Sequence, residues 1–134
     1  MSKRSGAFSP KGKFLLVDRD IDTLHGITVT LHNRGYEVRA CDSYEEALTY
    51  LGAETYDFIL VDQGSPYFEG RAVLDRAMEI DRHTPVLIVT RFLHMACYLE
   101  AMQRGAVDYL VKPIPSASLI WVIGTHLPQR CAAA

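Results

Sequence analysis

The sequence predicts an α/β fold in which helices cover both faces of a doubly wound, five-stranded parallel sheet. The chain has 134 residues, a length that suits one domain with one hydrophobic core. Short apolar runs alternate five times with stretches in which apolar residues recur at helical spacing. The connections between them are short, and strands that alternate with helices form parallel sheets.

Composition is that of an ordinary globular protein, with 49% hydrophobic and 22% charged residues. The net charge of −2 gives no sign of binding to nucleic acid or to anionic membranes. No apolar run reaches the roughly 18 residues that a membrane span needs. The widely spaced Cys41, Cys97 and Cys131 form no CxxC pair, which argues against a disulfide framework or a zinc site and favours the cytoplasm.

The first strand–helix unit begins with Phe14 to Val17, an apolar run typical of a strand buried on both faces. Apolar residues at helical spacing follow from Leu24 to Leu31, and Gly35 ends that helix. Tyr36 to Cys41 then alternates as a second strand.

The second helix is predicted by Ser43 and Glu46, which have the spacing of a capping box. The third strand, Phe58 to Val61, is apolar and ends at Asp62. The remaining predicted elements are a helix at 69–80, a strand at 85–89, a helix at 93–104, a strand at 107–111 and a helix that Ser116 or Ser118 opens. We expect one domain over residues 13–128, with flexible ends at 1–12 and 129–134.

Four strands end at residues that suit phosphoryl chemistry: Asp18, Asp62, Thr90 and Lys112. The carboxyl ends of parallel strands meet at one edge of the sheet, where ligands bind. A carboxylate there can attack a phosphoryl group to form an aspartyl phosphate, and a hydroxyl and an ammonium group can bind its oxygens. Each residue alone is commonly a strand-end or capping residue, so the prediction depends on the coincidence of all four.

These strand ends carry motifs that resemble the receiver domains of two-component response regulators. The motifs are LLVD at Asp18, ILVDQGSPYFEG around Asp62, PVLIVT at Thr90 and DYLVKP at Lys112. The resemblance spans residues 13 to 128 and implies a flavodoxin-like sheet in the order 2-1-3-4-5. It implies a regulatory domain rather than an enzyme.

The resemblance also implies roles for individual residues. Asp62 would accept phosphate from a histidine kinase or a phosphotransfer protein. Asp18, Asp62 and the backbone carbonyl of Gly64 would hold Mg²⁺. Thr90 and Lys112 would bind the phosphoryl group, and Tyr109 would reorient on activation. The Lys112–Pro113 peptide is expected to be cis.

Two arginines depart from the family pattern. Receivers usually have two adjacent acids after the first strand, but here Arg19 follows Asp18. An arginine cannot bind Mg²⁺, which requires hard oxygen ligands, so we expect weak Mg²⁺ binding. The residue after the threonine is usually small, whereas Arg91 is long and could either shield Asp62 or point into solvent.

Two other functions fit parts of the sequence. Because Arg19 disturbs the metal site, the chain could be a pseudo-receiver that takes no phosphate and acts only as a protein-interaction module. The DxD pattern of Asp18 and Asp20 resembles the first motif of haloacid-dehalogenase-type phosphatases, with Asp18 as nucleophile. No further acidic pair follows Lys112, as that family would require.

The last predicted helix carries four consecutive apolar residues, from Ile120 to Ile123. One inward stripe cannot bury all of them, so Trp121 or Val122 is expected on the outer side. In receivers the fourth helix, fifth strand and fifth helix form the partner-binding face. We therefore expect a homodimer through this face, with burial of the whole helix as the alternative.

Overall fold

The computed structural model describes residues 11–127 of the chain. The strands are β1 (Lys13–Val17), β2 (Glu37–Cys41), β3 (Phe58–Asp62), β4 (Val86–Thr90) and β5 (Asp108–Val111). The helices are α1 (Ile21–Asn33), α2 (Tyr44–Ala53), α3 (Arg71–Ile80), α4 (Met95–Gln103) and α5 (Ser116–His126). The strands pair in parallel in the order β2-β1-β3-β4-β5, which confirms the predicted fold class and strand order.

The predicted flexible ends lie mostly outside the described residues. Lys11 and Gly12 are described, and both take part in backbone hydrogen bonds. The amide of Lys11 donates to the carbonyl of Gly35 over 2.9 Å, and the carbonyl of Gly12 accepts from the amide of Glu37 over 2.9 Å.

The strand register aligns the carboxyl ends of the strands at one edge of the sheet. Val17 pairs with both Cys41 and Val61, so Asp18 follows directly beside the end of β3. Asp62 pairs with Val89, and the following residue of β4, Thr90, pairs with Val111. The residues that end β1, β3, β4 and β5 therefore lie along a single edge.

Each face of the sheet is covered by its own set of helices because successive side chains of a strand point to opposite faces. Phe14, Leu16 and the other inward residues of one face pack with α1 and α5. Leu15, Val17 and their equivalents pack with α2, α3 and α4. This arrangement of two helices and three helices is the one expected for a doubly wound sheet.

Local hydrogen bonds explain where two of the helices begin. Oγ of Ser43 accepts a hydrogen bond from the amide of Glu46 over 3.0 Å, which confirms the predicted N-cap of α2. Helix α3 begins at Arg71 rather than at the predicted Glu69. The preceding Phe68 has a φ of 59°, and the Glu69 side chain binds Ser65 instead of starting a helical turn.

Helix α4 also begins later than predicted, at Met95 rather than Leu93. Its N-cap, His94, is in an extended conformation, and the carbonyl of Phe92 accepts a hydrogen bond from the Thr90 hydroxyl. Helix α5 begins at Ser116, one of the two predicted starts. None of the helices in residues 11–127 is both long and apolar enough to cross a membrane.

Helix α5 leaves one large apolar side chain outside the core. Trp121, one of the two residues expected on the outer side, is 70% exposed. The other candidate, Val122, is only 6% exposed and packs against the face that also buries Leu119 and Ile123. The prediction that Trp121 or Val122 would lie on the outer side is therefore confirmed by Trp121, whereas Val122 falls on the inward stripe of the helix.

Candidate functional site

The ammonium group of Lys112 bridges the two carboxylates at the ends of β1 and β3. Its Nζ lies 2.8 Å from Oδ2 of Asp18 and 3.3 Å from Oδ1 of Asp62. The peptide between Lys112 and Pro113 is cis, as expected from the sequence. Three residues from distant parts of the sequence thus form one charged cluster at the carboxyl edge of the sheet.

The two carboxylates differ in their surroundings. Asp18 is fully buried, and its Oδ1 accepts a hydrogen bond from the amide of Asp20 over 2.9 Å. Oδ2 of Asp18 has no well-aligned hydrogen-bond donor, so its contact with Lys112 is an ion pair rather than a directed hydrogen bond. The side chain of Asp62 is 14% exposed and lines an open cavity. Asp62 is therefore the carboxylate that a ligand can reach.

The surroundings of Asp62 shift its pKa upward. Burial raises the pKa of Asp62 above the ordinary aspartate value, and the Asp18 carboxylate raises it further. Lys112 and the hydroxyl of Tyr44 oppose this rise. The ion pair with Lys112 thus offsets part of the cost of keeping an ionised carboxylate at this position.

The loop after β3 brings backbone groups beside Asp62. Gly64 has a φ of 87°, and a Cβ atom there would overlap Oε1 of Glu69 and approach the Tyr44 hydroxyl. The positive φ favours glycine at this position, because residues with a side chain rarely adopt it. The Glu69 carboxylate closes the loop by accepting hydrogen bonds from the amide of Ser65 over 2.7 Å and from its hydroxyl.

Tyr44 is a site residue that the sequence did not indicate. Its hydroxyl donates a hydrogen bond to the carbonyl of Asp62 over 3.0 Å and lies 3.5 Å from Oδ2 of the same residue. Burial, followed by the nearby Asp62 charge, raises the pKa of Tyr44, so the phenol stays protonated and can donate. The available signal was its position at the start of α2, since the β2–α2 connection also lies at the carboxyl edge of the sheet.

Thr90 and Tyr109 lie near Asp62 but make their hydrogen bonds away from it. The Thr90 hydroxyl is buried and donates to the carbonyl of Phe92 over 2.9 Å. The Tyr109 side chain is also buried, and its hydroxyl donates to Oε1 of Gln63. The same hydroxyl is 3.4 Å from the amide of His94, which can donate to it.

Gln63 is the second site residue that the sequence did not indicate. It is only 1% exposed, and besides accepting from Tyr109 it donates through Nε2 to the carbonyl of Ser65 over 3.1 Å. An amide at the end of an apolar strand must find partners if it is buried. That requirement predicts hydrogen bonds for Gln63, but not that Tyr109, 46 residues later, supplies one of them.

Arg91 reaches across the mouth of the cavity to Asp20. Its Nη2 lies 3.2 Å from Oδ2 of Asp20, while 64% of the Arg91 side chain remains exposed. Asp20 is also the N-cap of α1, and its Oδ2 accepts a hydrogen bond from the Thr23 hydroxyl over 2.9 Å. The carboxylate of Asp20 is thus engaged at the rim and does not replace the acid missing at Arg19.

The side-chain donors at the site fit a divalent metal ion poorly. The carboxylates of Asp18 and Asp62 and the carbonyl of Gly64 supply hard oxygens of the kind that Mg²⁺ prefers. The ammonium of Lys112 already pairs with both carboxylates, and Arg19 lines the same cavity. Within residues 11–127, no group of three or more acidic, histidine or cysteine side chains could hold a metal.

Comparison with known proteins assigns the chain to a family. Residues 14–123 match the family model described as the response regulator receiver domain. FleR, a response regulator protein of Pseudomonas aeruginosa, is 34% identical over 114 residues, which are 85% of this chain and 24% of FleR. The transcriptional regulatory protein ZraR of Escherichia coli K12 is 32% identical over 100 residues, 75% of this chain and 23% of ZraR. This chain therefore spans about a quarter of the length of these curated relatives.

Solved structures show the same fold. A CheY-like receiver domain from Methanospirillum hungatei superposes with a TM-score of 0.83 at 25% identity, covering 94% of this chain and all of that one. A response regulator protein from Burkholderia pseudomallei, with a phosphorylated aspartic acid, a calcium ion and citrate, superposes with a TM-score of 0.75 at 26% identity. That match covers 90% of this chain and 69% of the other. This chain belongs to the receiver domain family of the response regulators of two-component signalling.

Proposed function

We propose that residues 13–128 form a phosphoacceptor domain in which Asp62 accepts a phosphoryl group from a histidine kinase or a phosphotransfer protein. The observation that carries the proposal is the position of Lys112, within 3.3 Å of Asp62 and 2.8 Å of Asp18. Asp62 is the carboxylate of this cluster that faces the open cavity. A nucleophile and a cation that can bind a phosphoryl oxygen are thus side by side.

The proposed reaction needs little from the protein besides positioning and charge. A carboxylate oxygen of Asp62 attacks phosphorus, and the bond between phosphorus and the donor's leaving atom breaks with its electron pair. Lys112 binds a phosphoryl oxygen and offsets the negative charge. The Tyr44 hydroxyl, 3.5 Å from Oδ2 of Asp62, helps to orient the carboxylate.

In the same proposal, Thr90 and Tyr109 transmit the change to the rest of the domain. The Thr90 hydroxyl turns from the carbonyl of Phe92 to the phosphoryl group. Tyr109 then changes its orientation beside α4, where its hydroxyl is near the amide of His94. The buried hydrogen bond between Tyr109 and Gln63 opposes that change.

Mg²⁺ is the metal proposed for this site, and its binding is weak. Asp18, Asp62 and the carbonyl of Gly64 would hold it, and it would supply positive charge beside the phosphoryl oxygens. Arg19 removes one carboxylate ligand and adds a positive charge that repels the ion.

We propose a homodimer as the partner arrangement of the domain. The apolar face is defined here by exposed large hydrophobic side chains on the β4–α4 connection, α4, β5 and α5. Its members are Phe92, Leu93, Met95, Leu99, Val111 and Trp121. Exposed apolar surface of this kind marks interaction sites, and a symmetric dimer is the commonest way to cover it.

A phosphorylation-independent interaction module is the second candidate function. Arg19 beside Asp18 and the hydrogen bond that holds Tyr109 inward favour it, because both oppose phosphate-dependent switching. The apolar face would serve such a module without any change at Asp62.

Incubation with acetyl phosphate and Mg²⁺, followed by intact mass measurement, separates the two candidates. We expect the wild-type protein to gain the mass of one phosphoryl group and Asp62→Asn to gain none. A wild-type protein that gains no mass while remaining folded would support the interaction module instead.

A further inference from the structure

The cavity above Asp62 is lined by three cationic side chains. Arg19, Arg91 and Lys112 surround an open space of about 390 Å³, opposite the carboxylates of Asp20 and Asp62. Each cation comes from a different strand-end connection: Arg19 follows β1, Arg91 follows β4 and Lys112 follows β5. Their convergence is a consequence of the fold and not of sequence proximity.

The three cations are engaged to different degrees. Lys112 pairs with Asp18 and Asp62, and Arg91 pairs with Asp20 through Nη2 over 3.2 Å. The Arg91 side chain is 64% exposed despite this ion pair. For Arg19, no carboxylate in residues 11–127 lies within ion-pairing distance.

The positive charge of Arg19 acts on the side of the cavity that holds Asp62. The hydrogen bond from Ser65 is the main reason why the pKa of Glu69 is lowered, and the charge of Arg19 contributes to the same shift. Glu69 contacts the loop that carries Gly64, the residue two after Asp62. Arg19 and Asp62 line the same cavity, together with Gly64.

Guanidinium groups suit a phosphoryl group chemically. Their planar N–H donors bind phosphate oxygens in pairs, and they are always charged. The charged residues that line the cavity are three cations and two carboxylates, and this excess of one positive charge favours a phosphoryl group without a divalent ion. A metal-binding site would instead need an excess of oxygen ligands.

We propose that Arg19 and Arg91 bind the phosphoryl group in place of a divalent cation, so that this site binds phosphate-type oxyanions without metal. Phosphorylation of Asp62 at this site rests on the proposed function. With acetyl phosphate as donor, an Asp62 oxygen forms the new bond to phosphorus, and acetate leaves with the electrons of the broken bond. The products are the aspartyl phosphate and acetate, and no proton has to be supplied. Phosphorylation of this domain should therefore depend less on a metal ion than it does in receivers with two adjacent acids after the first strand.

The first test measures binding of inorganic phosphate in excess EDTA by the amide NMR shifts of residues 62–65. We expect a saturable shift in the wild-type protein and an affinity lower by about tenfold for each of Arg19→Gln and Arg91→Gln, the loss expected for one charge-assisted hydrogen bond. The matched control is Arg82→Gln, an exposed arginine in the connection before β4, at the opposite edge of the sheet. A wild-type protein that shows no shift, or arginine variants that bind like the control, would overturn the proposal.

The second test measures the rate of acetyl phosphate labelling with EDTA and with Mg²⁺. The labelling rate of the wild-type protein is expected to change by less than about tenfold between the two conditions. The Arg19→Asp variant has the usual acidic pair, so its labelling rate is expected to depend on Mg²⁺. That variant is also expected to bind Mg²⁺ more tightly than the wild type does. Labelling of the wild-type protein only with Mg²⁺ would overturn the proposal and leave the phosphoacceptor function standing. Phosphate binding in EDTA without any labelling would support the oxyanion site and contradict the phosphoacceptor function.

Discussion

The hydroxyl of Tyr109 donates a buried hydrogen bond to the side-chain amide of Gln63, the residue that directly follows Asp62. Tyr109 also packs edge-on against Tyr98 of α4, with ring centroids 5.6 Å apart. The residue next to the candidate phosphoacceptor is thus joined by one hydrogen bond to the aromatic side chain that contacts α4. We expect a change at Asp62 to reach α4 through this link.

Removing either partner of this hydrogen bond should destabilise the domain, and the two losses should not add. Gln63→Met keeps the side-chain length but leaves the Tyr109 hydroxyl without its acceptor, which should cost about 1–3 kcal/mol. Tyr109→Phe in the same background should then cost less than it does in the wild-type protein. Urea unfolding of the single and double variants gives the coupling free energy, expected to be about 1 kcal/mol. Strictly additive losses would contradict a direct link.

Lys112 should be more important for stability than an ordinary surface lysine. Lys112→Met leaves the buried Asp18 and the nearby Asp62 as uncompensated like charges, so the free energy of unfolding should fall by about 3 kcal/mol or more at neutral pH. In an Asp18→Asn background, the same substitution should cost much less. Chemical denaturation measures both losses, with the exposed Lys11→Met as the control. An equal cost in both backgrounds would show that Lys112 does not act by joining the carboxylates.

The raised pKa of Asp62 predicts a specific pH dependence. Between the ordinary aspartate value of 3.8 and the raised pKa, the folded protein binds more protons than the unfolded chain. The contribution of Asp62 to stability is therefore present at low pH and is lost as the pH rises through the raised pKa. Asp62→Asn should melt a few degrees higher than the wild type at pH 7, and this difference should shrink below about pH 4.

Melting curves across this range check the prediction. If the difference in melting temperature between Asp62→Asn and the wild type widened on acidification, the pKa of Asp62 would be lowered and not raised.

The apolar face should control self-association. Trp121→Glu places a charge where the wild-type side chain is 70% exposed, so it should weaken a dimer by at least about tenfold without unfolding the monomer. Ile80→Glu is the matched control, since that residue is also exposed but ends α3, a helix that is not part of the apolar face. Sedimentation velocity at increasing concentration, with and without acetyl phosphate, measures the effect. A wild-type protein that stays monomeric throughout would contradict the homodimer.

The features that the sequence predicted are those that depend on local pattern. Apolar runs ending at Asp18 and Asp62, and the spacing of Ser43 and Glu46, are sufficient to place strands and a helix cap. Parallel strands then bring the strand ends together by topology alone. The clustering of Asp18, Asp62 and Lys112 at one edge followed from these rules, whereas the strand order was implied by the resemblance to receiver domains.

The features that the sequence did not predict depend on contacts between distant residues. Nothing in the local pattern shows that Arg91 would pair with Asp20, 71 residues earlier, or that Gln63 would accept from Tyr109. The start of α3 was predicted too early because Glu69 looks like a first-turn acid. Its carboxylate is used instead to close the loop at Ser65.

Locating the phosphoryl group by borohydride reduction tests the central claim most directly. Reduction converts an aspartyl phosphate to homoserine, which peptide mass spectrometry can assign to one residue. After treatment with acetyl phosphate, we expect homoserine at position 62 in the wild type and in Arg82→Gln, and none in Asp62→Asn. Homoserine at position 18 would point to the dehalogenase-type phosphatase. The absence of homoserine at position 62 in a folded wild-type protein would contradict the phosphoacceptor account.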